Sequence, residues 1–194
     1  MHQTAPVPAF PLPLRTHSES LDPRIAEFAS PATRILLAAD GLTTVLLQAA
    51  AQASLDIHTD AIEQIHTDAL GDAEAVSALR LQGEKLCWLR HSRLLTPDGA
   101  TISFNTVVAP RAHDPRLDAA MNDPAQPLGF ALSRSGFATV RRLYDVGRAR
   151  WPADPGRLCA FKAYTMQGPE GAVVFVHEKY SPDWFSAALD APAG

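Results

Sequence analysis

Lysine is nearly missing from this 194-residue sequence, with Lys85, Lys162 and Lys179 as its three instances. The remaining cations are scattered arginines, and 17 Lys and Arg against 21 Asp and Glu leave a net charge of -4. A chain that grips phosphate backbones carries a basic face, so nucleic acid is not an expected partner. Cysteine is almost as scarce. Cys87 and Cys159 lie in the apolar contexts LCWL and RLCAF, and without a secretory setting they read as buried free thiols rather than a disulfide. No apolar run approaches the ~20 residues of a membrane helix. The first twenty residues hold four prolines and no charge before Arg15, a pattern that breaks the apolar stretch of a signal peptide. The expectation is a cytoplasmic protein without membrane insertion.

Motifs with strong mechanistic content are also missing. The seven histidines (2, 17, 58, 66, 91, 113 and 177) show no ligand spacing, so no metal is expected. There is no GxSxG elbow, no GxGxxG loop, no heptad, no internal repeat and no helix-turn-helix. Cys87 and His91 share strand parity, but nothing orients the histidine, and a core thiol is the commoner arrangement.

What is present begins after a proline-rich stretch. Residues 1–20 read as a flexible, extended arm, since X-Pro units favour polyproline-like backbone, and residues 21–194 read as one domain. Ser30-Pro31 opens a helix over ATRILLAAD, with Ser30 as N-cap and Pro31 in the first turn. Asp40 is the candidate cap for a second helix, LTTVLLQAAAQA. Leu55, Ile57, Ala61 and Ile65 share one parity, the mark of a strand. DAEAVSALRL reads as a short helix. Asp98-Gly99 between LCWLRHSRLLTP and ATISFNTVVAP is a hairpin signal. HDPRLDAAMND reads as a helical excursion. FATVRRLYDVGRARW, RLCAFKAYTM and AVVFVHEKY read as three further strands, with GPEG turning between the last two, and Ser181-Pro182 as a helix opening. The order predicts an α+β fold: a single antiparallel sheet of about six strands, helices packed on one side, and an internal ligand pocket.

Two charged residues stand out. Trp88, Arg90, Ser92 and Leu94 share one face of their strand, and Leu89, His91, Arg93 and Leu95 the other. An inward Arg90 needs a carboxylate from the protein or a ligand; the alternative is an arginine on a solvated face. Glu178 ends a stripe with Ala172, Val174 and Val176, either buried, with a raised pKa suited to acid–base work, or at a wet strand end. Arg141 and Arg142 point to opposite faces.

The stretch WLRHSRLLTPDGATISFNTVV, from Trp88 to Val108, resembles the central hairpin of bacterial chorismate pyruvate-lyases. QPLGFAL around Leu128 followed by TVRRLYDVG resembles that family's PLG segment and next strand. VFVHEKYSP resembles its closing strand, and ADGLTT its helix-turn segment. Together these cover about residues 21–185. The resemblance implies an enzyme that eliminates pyruvate from chorismate to give 4-hydroxybenzoate, without metal or cofactor, in ubiquinone or secondary-metabolite biosynthesis. It makes Arg90 and Glu178 the catalytic pair, Arg90 gripping a carboxylate and Glu178 meeting the ring hydroxyl or moving a proton. Leu128 and Gly129 then offer backbone N–H groups, Leu42 roofs the pocket and Arg141 helps neutralise the ligand. Phe104 stands where the family tends to have a small residue, Asn105 where it often has arginine, and His91 where glutamate is frequent, so Phe104 and Asn105 join the substrate-contacting set. The expected partner is a small carboxylated ring, and the expected state a monomer. Two other readings share the fold. One is a non-catalytic effector-binding module like the ligand-sensing domains of some bacterial transcription regulators. The other is an enzyme of secondary metabolism with a different substrate.

Overall fold

A computed structural model describes residues 21–111, 114–137, 140–168 and 171–190; the arm expected over 1–20 and the two middle residues of the GPEG turn lie outside them. Six strands form one sheet in the order β1-β2-β3-β6-β5-β4. They are β1 Asp56–His66, β2 Leu86–Leu95, β3 Thr101–Pro110, β4 Val140–Trp151, β5 Asp154–Gly168 and β6 Gly171–Tyr180. Every neighbouring pair is antiparallel. The helices are α1 Pro23–Ala26, α2 Pro31–Ala38, α3 Thr43–Ala51, α4 Ala73–Ala78, α5 Pro115–Met121 and α6 Leu128–Arg134. The fold is α+β, as the element order predicts.

Period-2 side-chain alternation divides the sheet into two faces. One carries Trp88, Arg90, Ser92 and Leu94 of β2, Asn105 and Val107 of β3, Tyr164 and Met166 of β5, and Val176, Glu178 and Tyr180 of β6, as the registers require. Two apolar clusters lie on it. Trp88, Val107, Met166 and Val176 pack with Leu117 and Met121 of α5 and Leu132 of α6. Leu94, Ile102 and Tyr180 pack with Ile25, Leu36, Leu37 and Leu47 of α1 to α3. The opposite face is covered at one end by α4, whose Ala75 joins Cys87, Val108, Ala163 and Phe175.

Local chemistry sets several helices as read, and others differ. Ser30 caps α2, its hydroxyl accepting from the Thr33 N–H at 3.3 Å. Asp40, however, caps nothing: α3 starts from Leu42 without a side-chain cap, and the Asp40 carbonyl accepts from Arg141 Nη1 at 3.1 Å. Ser181-Pro182 opens a turn rather than a helix, with the Ser181 carbonyl accepting from Trp184 and Phe185. Extended backbone wins there because Leu189 pairs with Phe28 in an isolated bridge. The PLG segment is itself the start of α6, a helix that Gly129 hides from a propensity reading.

A bulge between Thr59 and Ala61 changes which β1 residues face inward. Ile57 pairs with Leu94 and Ile62 with Arg90, while Ala61 and Ile65 pair with His91 and Cys87 on the far face. The single stripe expected from Leu55 to Ile65 is therefore split, since one inserted residue reverses the alternation. The Asp98-Gly99 hairpin forms as expected, with Gly99 at φ +86°, a conformation glycine adopts without strain.

Candidate functional site

Where the two clusters of the inner face meet, the sheet and helices line a partly open cavity of about 50 Å³. Its lining includes Leu42, Arg90, Asn105, Leu128, Gly129, Arg141 and Glu178, so seven of the eight residues singled out in the sequence converge on one space. Phe104 is the exception. Its parity places it on the opposite face, paired with Arg93 and Lys179. There its ring meets Trp151 edge-on with centroids 4.9 Å apart, and it plays no part in the cavity.

Arg90 is 1% exposed. Its Nη1 donates to the Ala120 carbonyl at 3.1 Å and Nη2 to the Gln126 carbonyl at 2.7 Å. Both acceptors are held in place by other bonds. Trp88 Nε1 donates to Asp118 at 2.7 Å and docks α5 on β2. Asp123 accepts from the Ala125 N–H at 2.9 Å and the Gln126 amide at 3.1 Å, shaping the loop that presents the Gln126 carbonyl. Thr59 ties the same loop to β1 through the Pro124 carbonyl. Carbonyls satisfy N–H groups without cancelling charge. Among the described residues no carboxylate forms an ion pair with Arg90. Burial pushes its pKa down, and Asp123 opposes this only through space.

Glu178, 8% exposed, is answered by hydroxyls. Thr43 Oγ1 donates to Oε2 at 3.0 Å, Tyr180 Oη to Oε2 at 2.7 Å and Tyr164 Oη to Oε1 at 3.3 Å. Burial and the adjacent carboxylate push both tyrosine pKa values up, so both phenols stay protonated as donors. Three donors occupy most of what a carboxylate accepts. The side chain is fastened as an acceptor and tied to the start of α3, an end of the helix that favours negative charge.

Lys162 lies opposite Glu178 on β5. Its Nζ donates to the carbonyls of Leu36 and Ala39 at 3.1 Å each, closing the end of α2. Burial pushes its pKa down. Arg141 Nε is buried without a hydrogen-bond partner among the described residues. Its guanidinium lies 5.6 Å from the Tyr164 ring centroid. Gly129 allows the walls to close: a Cβ there would stand 2.9 Å from Leu42 Cδ2 and 3.2 Å from Arg141 Nη2.

No protein-family model matches the chain, and no curated protein matches it. Solved structures do. The effector domain of PhnF from Mycobacterium smegmatis aligns with TM-score 0.55 and 19% identity over 78% of this chain and 96% of its own. The C-terminal domain of the histidine utilization repressor from Pseudomonas syringae gives TM-score 0.53 and 10% identity over 72% and 99%. A GntR-family transcriptional regulator from Bacillus cereus gives 0.50 and 9% over 72% and 99%. The fold is shared with regulator domains. That finding overturns the chorismate pyruvate-lyase expectation, and with it the enzyme assignment and the biosynthetic role. No helix among the described residues is long and apolar enough to cross a membrane.

The residues missed in the sequence are the partners. Tyr180 was within reach, two positions from Glu178 on the same strand face. Tyr164, Lys162 and Thr43 are set beside Glu178 only by register and helix docking, and the carbonyls that receive Arg90 carry no side-chain signal.

Proposed function

We propose that this chain is a small-molecule-binding module, of the kind used as effector domains, and that it binds a small anion without transforming it. The module spans residues 21–194. One observation carries the reading: Arg90 is a buried cation with no carboxylate within ion-pairing distance among the described residues. A buried charge left uncompensated costs several kcal/mol. A ligand anion supplies the missing charge, and the guanidinium retains N–H groups beyond the two given to carbonyls. The regulator domains of like fold support a binding role over a chemical one.

The test is thermal unfolding and calorimetric titration against a panel of small carboxylates, with mass spectrometry of the recovered ligand. A ligand at one hundred times its Kd stabilises the folded state by about 2.7 kcal/mol. Stabilisation by at least one acid, its recovery unchanged, and loss of the effect in both Arg90→Met and Arg90→Lys are expected. The lysine variant keeps the charge and removes the planar fork. Binding that survives in both folded variants overturns the reading.

A further inference from the structure

The cavity holds a second set of unspent groups. Ser92 and Asn105 are cross-strand partners on β2 and β3, both line the cavity, and neither side chain makes a hydrogen bond among the described residues. Ser92 is only 6% exposed, and Asn105 is half-buried. An unmatched hydroxyl and amide side by side, with Arg90 two residues along the same face, form a row with two functions: one charged end and one neutral hydrogen-bonding end. Around them Ile57, Leu94, Val107, Met166 and Val176 offer only hydrocarbon.

Size and charge narrow the occupant. Drug-sized ligands sit in pockets of about 300–1,000 Å³, whereas this cavity measures about 50 Å³. The cavity therefore suits a ligand well below drug size. Glu178 is excluded as a seat for an ammonium group, because Thr43, Tyr164 and Tyr180 already bond to it. Lys162 opposite adds a further cation nearby.

We infer that the ligand is a short aliphatic acid, of roughly two to four carbons, carrying a hydroxyl or carbonyl oxygen besides its carboxylate. Arg90 takes the carboxylate, and Ser92 with Asn105 reads the second oxygen. This rests on the anion-binding reading of the same cavity and adds the class of the anion. Asn105 donates and accepts through its amide, and Ser92 does so through its hydroxyl, so either a hydroxyl or a carbonyl oxygen is matched. An acid lacking that oxygen displaces water from both groups and returns nothing, which costs affinity.

Calorimetric titration of the intact protein with glycolate, lactate, pyruvate, propionate, alanine and 4-hydroxybenzoate tests it, alongside Ser92→Ala, Asn105→Ala and Arg90→Met variants. The expected result is that at least one of glycolate, lactate and pyruvate binds about tenfold or more tightly than propionate and alanine. That preference shrinks to within about threefold in Asn105→Ala or Ser92→Ala, because the second oxygen of the acid loses a partner. Equal binding of propionate and lactate, or tighter binding of 4-hydroxybenzoate or alanine, overturns this inference and leaves the anion-binding site standing. Failure of every acid to bind a protein shown to be folded overturns both.

Discussion

The Thr43 hydroxyl donates to the Glu178 carboxylate at 3.0 Å across 135 residues of chain, fastening the first residue of α3 to the last inward strand position before Tyr180. Both groups are buried, so water cannot replace the bond once one partner is removed. Hydrogen bonds to charged groups contribute about 1.5–3 kcal/mol. Thr43→Val, which keeps the shape, is therefore expected to lower stability by about that amount, read as a reduced urea midpoint at unchanged slope. The Thr43→Val/Glu178→Gln double variant should lose at least about 0.5 kcal/mol less than the sum of the single losses, because the two residues share one network. Strict additivity would show that the hydroxyl does not stabilise the carboxylate.

Gly129 is the point at which cavity closure can be altered without replacing a polar side chain. Alanine raises helix propensity by up to about 1 kcal/mol, but its methyl meets the tip of Leu42 at 2.9 Å. A leucine tip can rotate away, so Gly129→Ala should leave stability within about 1 kcal/mol of the unaltered protein. The displaced Leu42 or Arg141 reshapes the cavity wall, and affinity for the bound acid should fall about tenfold, or 1.4 kcal/mol. Calorimetry on the folded variant checks this, and unchanged affinity would remove Gly129 from the wall.

Much of this architecture is legible in the sequence because local signals and the tertiary fold agree. Ser30-Pro31, Asp98-Gly99 and the alternation from Leu86 to Leu95 each specify one outcome. The failures share a cause: they depend on contacts that no local window contains. The bulge at Asp60 reverses the facing of β1, the Leu189 bridge to Phe28 keeps the last segment extended, and α6 forms despite Gly129 because Leu128 and Leu132 bury against the sheet. At the site, residue identity made Arg90 and Glu178 conspicuous. What they do depends on their partners, carbonyls for one and hydroxyls for the other, which register and docking supply. Resemblance carried the fold across and overreached on the reaction, since the same sheet supports binding as well as catalysis.

Neighbours in sequence, Phe104 and Asn105 sit on opposite faces, and substitutions should separate their roles. Phe104 packs against Trp151 and under the Arg93 guanidinium, 6.0 Å from its ring centroid. An edge-on aromatic pair contributes about 0.5–1.5 kcal/mol beyond burial. Phe104→Leu is thus expected to cost about 1–2 kcal/mol in denaturant unfolding and to leave acid binding unchanged. Asn105→Ala should do the reverse, weakening binding of the oxygen-bearing acid with little effect on stability. A loss of affinity in Phe104→Leu would place its ring in the cavity after all.

His177 provides a pH-dependent contribution on the face away from the cavity. Its Nε2 is buried without a partner among the described residues, and its ring stands edge-on to Phe161 at 5.0 Å. Burial and then Lys179 push its pKa below the ordinary 6.5, against weaker opposing pulls from Asp72, Asp145 and Glu178. Between that depressed value and 6.5 the unfolded chain holds a proton that the folded chain releases. Stability therefore rises with pH across this window, is fully present above 6.5 and declines as pH falls through it. One group contributes a slope no steeper than about 1.4 kcal/mol per pH unit. Denaturant unfolding from pH 5 to 8 should show the slope in the unaltered protein, and His177→Phe, which keeps an aromatic ring and removes the titration, should flatten it. An identical pH profile in the two proteins would show that His177 accepts its proton as readily folded as unfolded.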